Sequence, residues 1–271
     1  MSKPLNDEWR DWLRLNIGRG CDPADLFERA MRQGFDPAEI SQVLDGFSPP
    51  APEDSALAEF WRSLYNAPLT KPENTPRAWR LDTEVAQIYE IPDLLSADEC
   101  AEMIDVIDLS LKPSTVTRGP ADYRTSRTCH MRRADPDTMR GIDERLAALI
   151  GCDPAFSEPI QGQRYDPGQY FKAHTDCFAP NTAEFEKHTK TGGQRTWTIM
   201  VYLNQVPSGG ETRFERVGRT FQPLAGTAIA WNNIGADGAP NTATLHEALP
   251  VEEGVKYVIT KWFRERAGLN S

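Results

Sequence analysis

Apolar residues along this chain follow two rhythms, and the change from one to the other divides it. In residues 1–48 they recur at helical spacing: Leu26, Phe27, Ala30 and Met31 form one stripe, and Ile40, Val43 and Leu44 another. A short repeat sets the phase of these stripes. Gly20-Cys21-Asp22-Pro23-Ala24-Asp25-Leu26 returns fourteen residues later as Gly34-Phe35-Asp36-Pro37-Ala38-Glu39-Ile40. In each copy the glycine ends one helix, the aspartate caps the next, the proline takes the first helical position and an acid follows. A helical hairpin packed on a main domain is the plainer expectation. An appendage that captures a substrate or partner is the other.

Ser48-Pro49-Pro50-Ala51-Pro52 breaks the helical rhythm, a short helix fits Ala56 to Tyr65, and prolines interrupt Ala67 to Pro76. Residues 49–80 therefore read as a linker with a short helix, and 81–271 as the main domain. Ile88-Tyr89-Glu90-Ile91-Pro92 reads as a strand. Ser96, with Glu99 three residues on, opens a helix to about Leu109, and a second helix fits Asp137 to Ile150. Beyond Glu158 the rhythm shortens to alternation, with turn residues every eight to twelve positions. Across Thr196 to Leu203, Trp197, Ile199, Val201 and Leu203 share one face. Thr198, Met200 and Tyr202 share the other, which suits the lining of a partly polar cavity. Pro207-Ser208-Gly209-Gly210 reads as a turn, the charged stretch from Phe178 to Gly193 as a loop, and Gly226 to Trp231, Thr242 to Leu249 and Val255 to Phe263 as further strands. The pattern predicts a mainly β fold with flanking helices: an antiparallel jelly-roll, cupin-like core plus a small N-terminal helical region.

Composition narrows the functional classes. At 271 residues and 39% apolar the chain can build a sizeable core, and its net charge of -10 argues against a broad nucleic-acid surface. Arg124, Arg127, Arg132 and Arg133 form a local basic patch at most. No run of eighteen apolar residues exists, so no membrane-spanning helix is expected. The opening MSKPLNDEWRDW lacks the apolar core of a secretion signal. Five scattered cysteines without a CxxC pair read as reduced thiols, which points to the cytoplasm.

The candidate chemistry lies in His174-Thr175-Asp176, His246 and Lys256. Two imidazoles and one carboxylate are the ligand set that holds non-haem Fe(II) on one face and leaves positions open for oxygen chemistry. On a strand, residues two apart point the same way, so His174 and Asp176 can reach one ion. With four histidines in the chain a His-x-Asp by chance is common, so His246 has to add weight. A core histidine satisfied by a backbone carbonyl is the competing account of His246. Lys256 opens a β-branched and aromatic strand. On an inward face it needs an anionic partner, such as the distal carboxylate of 2-oxoglutarate. On an edge it would merely deter sheet aggregation. Cys177 is too soft a donor for this set, and His130 and His188 read as non-ligands, with His130 a candidate lining of the substrate path.

From about Ile88 to Arg266 the chain resembles the prolyl 4-hydroxylase family of Fe(II)/2-oxoglutarate dioxygenases. The resemblance is carried, in order, by Leu94-Leu95-Ser96-Ala97-Asp98-Glu99-Cys100, by Tyr123-Arg124-Thr125-Ser126, and by the run from Arg164 through Tyr165 to Asp176. It continues through Arg195 to Leu203, Gly209 to Phe214, and His246 with Pro250, Val251, Gly254, Lys256 and Trp262. It implies a double-stranded β-helix, the iron ligands His174, Asp176 and His246, and Lys256 on 2-oxoglutarate with Tyr165 and Thr198 as hydrogen-bonding helpers. It also implies Arg124, Ser126 and Trp262 near the substrate, and the cofactors Fe(II), 2-oxoglutarate and O2, with ascorbate as reductant. The expected reaction is hydroxylation of an unactivated C–H, a prolyl residue in a peptide or protein first of all. A free amino acid or small metabolite is the alternative target, and a non-catalytic binding or sensing protein the alternative class. Glu247 after the distal histidine and the loop from Phe178 to Gly193 depart from the family pattern.

Overall fold

The computed structural model describes residues 3–45, 47, 55–66, 78–114, 123–131, 134–180 and 182–268. The expected linker prolines at 48–52, the stretch 67–76, and Arg132 and Arg133 lie outside these. The chain divides into two compact units, Met1–Glu59 and Phe60–Ser271.

Among its described residues the smaller unit holds three helices instead of the expected hairpin: α1 (Asp7–Gly18), α2 (Pro23–Arg32) and α3 (Pro37–Val43). The repeat explains the extra break. Asp22 and Asp36 each accept a hydrogen bond from the backbone two residues on, and Gly20 and Gly34 both take φ 79°, a left-handed turn that side chains disfavour. Leu13, Leu26, Phe27, Ala30, Phe35, Ile40 and Leu44 bury against one another as this unit's own core. A fourth helix, α4 (Ser55–Tyr65), follows.

Among the described residues the larger unit is built from fourteen strands and three further helices. β1 (Trp79–Arg80) and β2 (Ile88–Ile91) precede α5 (Ala97–Asp108), and β3 (Lys112–Pro113) and β4 (Arg127–His130) precede α6 (Pro136–Ile150). Then come β5 (Gln161–Tyr165), β6 (Phe171–His174), α7 (Ala183–Thr189), β7 (Arg195–Tyr202), β8 (Ser208–Gly209), β9 (Thr212–Phe214) and β10 (Arg219–Phe221). The last are β11 (Ala228–Asn232), β12 (His246–Ala248), β13 (Val251–Glu253) and β14 (Lys256–Arg264). An eight-stranded sheet runs β1-β2-β11-β7-β14-β5-β4-β3, and a four-stranded one runs β10-β9-β12-β6. All their ladder pairings are antiparallel. The architecture is the expected double-stranded β-helix. No helix among the described residues is long and apolar enough to cross a membrane.

Alternation along β7 sets the layers. Trp197, Ile199 and Val201 pack with Met103, Ile107, Ile142 and Leu146 of α5 and α6 on one face of the large sheet. Met200 and Tyr202 pack with Phe214, Phe221, Trp231 and Val258 between the two sheets. Each such side chain, fully buried, contributes on the order of 1.5–3 kcal/mol. Both α5 and α6 start as their sequences predict: Ser96 and Glu99 form a reciprocal capping box, and Asp135 caps Pro136. Gly226 (φ 73°) turns the chain into β11, where a Cβ would stand 2.4 Å from the Leu95 carbonyl oxygen.

Three expected elements differ. The strand expected from Thr242 begins only at His246, because Asn241 accepts a hydrogen bond from the Ala243 amide and winds Thr242–Thr244 into a single 3-10 turn. The turn at Ser208-Gly209 is itself paired, as a two-stranded ladder with β13. The loop between Phe178 and Gly193 contains α7, capped by Thr182.

Candidate metal centre and co-substrate cavity

Strand pairing creates the centre. His246 of β12 lies directly across from His174 of β6, and Asp176 follows two residues after His174. The three side chains offer ligand atoms that all lie within 4.8 Å of one another. Aromatic packing fixes both rings: Phe171 stacks on His174 at 3.6 Å between centroids, while Trp231 and Phe214 hold His246 at 4.7 and 5.2 Å. Each imidazole Nδ1 meets a backbone carbonyl, Lys172 O at 2.8 Å for His174 and Thr244 O at 3.0 Å for His246. That contact makes Nδ1 the protonated nitrogen and leaves Nε2 as the free donor. The bland account of His246, a histidine satisfied by a carbonyl, thus describes one nitrogen and leaves the other for the centre.

The carboxylate is wired in the same way. Thr198 Oγ1 donates to Asp176 Oδ2 at 2.7 Å, and Oδ1 stands 3.9 Å from His174 Nε2. Burial, followed by repulsion from His246, pushes the His174 imidazolium down to about 3, so the ring is neutral. Burial opposes ionisation of Asp176. The neighbouring imidazoles, Arg195 and the Thr198 hydroxyl outweigh it and hold the carboxyl below its usual range. A neutral His174 ring and an ionised Asp176 carboxylate are the protonation states a divalent cation needs from these two groups. The donor set and its supporting carbonyls fit Fe(II). Cys177 is not part of it: its Sγ donates to the Asn233 carbonyl oxygen at 2.8 Å.

Lys256 lines the same cavity as the three ligands. It is 1% exposed and sits in an interior strand, which rules out the edge-lysine account. Its Nζ lies over the rings of Tyr165 and Tyr202 at 5.2 and 5.3 Å. It forms no ion pair among the described residues, and burial pushes its pKa down to about 7, with Glu211 opposing from a distance. A buried cation without an anion, on the wall of a metal cavity, fits the distal carboxylate of 2-oxoglutarate. Tyr165 is opposite Lys256 in the β5–β14 ladder, and its hydroxyl donates to Gln163 Oε1 at 2.9 Å. Gln163 Nε2 donates in turn to Thr260 Oγ1 at 2.9 Å.

The expected substrate residues separate. Arg124 and Trp262 line the cavity, whereas Ser126 is buried behind it and accepts a hydrogen bond from Arg124 Nε at 2.8 Å. Arg124 also lies over the Phe171 ring at 4.7 Å, so Arg124, Phe171 and His174 form one stack. The indole Nε1 of Trp262 is buried without a hydrogen-bond partner among the described residues, and the Arg195 guanidinium covers its ring at 4.1 Å. Glu158 holds Arg195 through two hydrogen bonds, at 2.7 and 2.8 Å, and also accepts from Arg264. His130 does not line this cavity. It borders a roomier one of about 490 Å³ beside α6, with Met131, Met139 and Ile160. His188 stacks on Phe178, away from the ligands.

Sequence reasoning missed Gln163, Thr260, Arg195, Glu158 and Asn233. Alternation could have found the first two, since Gln163 and Tyr165 share a face of β5, and Lys256, Thr260 and Trp262 share one of β14. Nothing local marks the other three.

Comparison with known proteins agrees with this geometry. Residues 160–264 match the model of the 2OG-Fe(II) oxygenase superfamily. The chain is 30% identical over 203 residues to prolyl 4-hydroxylase 1 of Arabidopsis thaliana, covering 67% of this chain and 70% of that protein. It is 29% identical over 186 residues to prolyl 4-hydroxylase subunit alpha-1 of Homo sapiens, covering 66% of this chain but 35% of the subunit, so it spans about a third of such subunits. The solved 2OG complex of viral collagen prolyl hydroxylase from Paramecium bursaria chlorella virus-1 shares the fold, at 24% identity and TM-score 0.53, covering 65% of this chain and 95% of that one.

Proposed function

Because the chain belongs to the prolyl hydroxylase family of 2OG-Fe(II) oxygenases, we propose that it hydroxylates prolyl residues in a peptide or protein. One observation carries the reading: the two histidines and the aspartate converge in a cavity whose wall also holds a buried lysine with no ion-pair partner among the described residues.

His174, Asp176 and His246 hold Fe(II), which, with 2-oxoglutarate and O2 bound, supplies the oxidising power for replacing C–H by C–OH. The chain's own residues prepare the site. Lys256 anchors the distal carboxylate, and the Tyr165 hydroxyl is free to turn from Gln163 toward the same group. Thr198, expected to help hold the co-substrate, instead orients Asp176 through its hydroxyl hydrogen. Arg124 and Trp262 bind the substrate backbone, Arg124 through its guanidinium and Trp262 through its unpartnered indole N–H. Ser126 aims Arg124. The aromatic shell around the histidines excludes water from the reacting centre. Ascorbate serves as reductant, and the five free cysteines fit a cytoplasmic setting.

The test is mass spectrometry of a panel of proline-containing peptides incubated with the full chain, Fe(II), 2-oxoglutarate and ascorbate. The expected result is the gain of one oxygen at proline, absent with H174A. Succinate formation without any prolyl oxidation would move the target to a small metabolite. No succinate under any condition would make the protein a non-catalytic binder.

A further inference from the structure

We propose that Asn233 is the positioning residue of the metal centre, acting on Asp176 through the Thr198 hydroxyl. The inference rests on the metal reading of the cluster and adds a residue that neither the ligand set nor the cavity lining contains.

The hydrogen-bond polarity is determined. A threonine hydroxyl has a single hydrogen, and Thr198 gives it to Asp176 Oδ2 at 2.7 Å. The 2.8 Å contact between Thr198 Oγ1 and Asn233 Nδ2 therefore has the amide N–H as donor. With the amide donating, the hydroxyl hydrogen has one destination. The carboxylate is then held by Oδ2, and Oδ1, the oxygen facing His174 Nε2, is the one presented to the ion.

Asn233 is fully buried, and its Oδ1 has no hydrogen-bond partner among the described residues. Stability alone disfavours that arrangement, since an apolar side chain of the same shape would leave no orphaned acceptor. The amide is retained for its donor. The backbone of Asn233 adds to the case. Its N–H donates to Thr196 O at 2.7 Å, two residues before Thr198 on β7. Its carbonyl oxygen accepts from Cys177 Sγ, next to Asp176, and from the Asn241 N–H, both at 2.8 Å. Asn241 caps the turn Thr242–Thr244, whose last carbonyl holds the His246 ring. Segments leading to two of the three ligands and to Thr198 thus meet at one residue.

The experiment titrates Co(II), a spectroscopic stand-in for Fe(II), into the metal-free full chain under anaerobic conditions for wild type, T198V, N233L and the double variant. T198V and N233L should each weaken Co(II) affinity about 10- to 100-fold, the range typical when a group supporting a ligand is lost. The double variant should be no weaker than T198V alone, because the amide acts only through the hydroxyl. T198S should restore tight binding. Metal-free melting curves report folding separately, and T198V, near-isosteric, reads the relay even if N233L does not fold. Wild-type affinity in T198V or in a folded N233L, or independent additive losses, would overturn the proposal. Failure of wild type itself to bind Co(II) would remove the metal reading and this inference with it, whereas tight binding by wild type and all variants would remove this inference alone.

Discussion

At one end of the cavity His174, Asp176 and His246 each meet a fixed hydrogen-bond partner; at the other, Lys256 has aromatic rings for neighbours and, among the described residues, no paired anion. The metal end is finished by the protein, down to which nitrogen of each ring is free. The lysine end is left electrostatically incomplete. Burial of a cation without a counter-charge destabilises the ligand-free fold, and a carboxylate arriving from outside relieves it. Under the proposed function the two ends divide the work: one has its hydrogen bonds in place before anything binds, and the other is completed by the co-substrate.

Removing a ligand at the finished end should have the largest effect. D176A or H174A should drop 2-oxoglutarate-dependent succinate formation to background and abolish stoichiometric Co(II) binding; retained turnover would dissolve the contrast. At the incomplete end the effect should be graded and two-sided. K256M should weaken 2-oxoglutarate binding by about 10- to 150-fold, the equivalent of a charge-assisted hydrogen bond of roughly 1.5–3 kcal/mol. It should also raise the melting temperature of the ligand-free protein, since a buried charge is gone. Isothermal titration and a thermal melt on the same preparation check both signs. A metal-ligand variant should show no comparable gain.

The pH response comes next. Lys256 has its pKa pushed down to about 7 in the ligand-free fold, against about 10.4 for a free lysine. Above pH 7 the free enzyme loses the proton that the dicarboxylate requires. Its dissociation constant should therefore rise, by up to about tenfold per pH unit, with proton uptake on binding. Titration at pH 8 in two buffers of different ionisation enthalpy measures that uptake, and K256M should show none. For stability the sign is opposite. Between about pH 7 and 10.4 the unfolded chain binds more protons at this position than the folded one, so this group's penalty on the ligand-free fold fades as pH rises. The smallest effect belongs to the solvent-facing neighbour of the finished end. Arg213 pairs with Glu247 at the surface, and R213A should change stability by under about 1 kcal/mol and leave Co(II) affinity unchanged.

Much of this contrast was legible in the residues, and the unequal parts have physical reasons. Alternation in Thr196 to Leu203 predicted both faces of β7, because a strand's side chains obey a period of two wherever it lies. The candidate ligands and Lys256 were legible as residue types, each with a structural account beside the chemical one. Their convergence depends on the His246–His174 register, which no local pattern encodes. Thr198 was placed in the site with a different task, since a hydroxyl's single hydrogen is assigned only when all its neighbours are known. Asn233 was invisible for the same reason, because its partners come from three separate stretches of chain. The false strand start at Thr242 reflects competition: Asn241 offered the backbone a local turn before the ladder could claim it.

The facing of His246 on His174 has a consequence for how this protein can change over generations. Adjacent residues on a strand look to opposite sides, so inserting or deleting one residue between Asn241 and His246 would turn Leu245 or Glu247 inward in its place. Point substitutions in that stretch can be graded, whereas a change of length there is all-or-none. The residue count of that stretch therefore matters to the centre as much as the identity of His246 does.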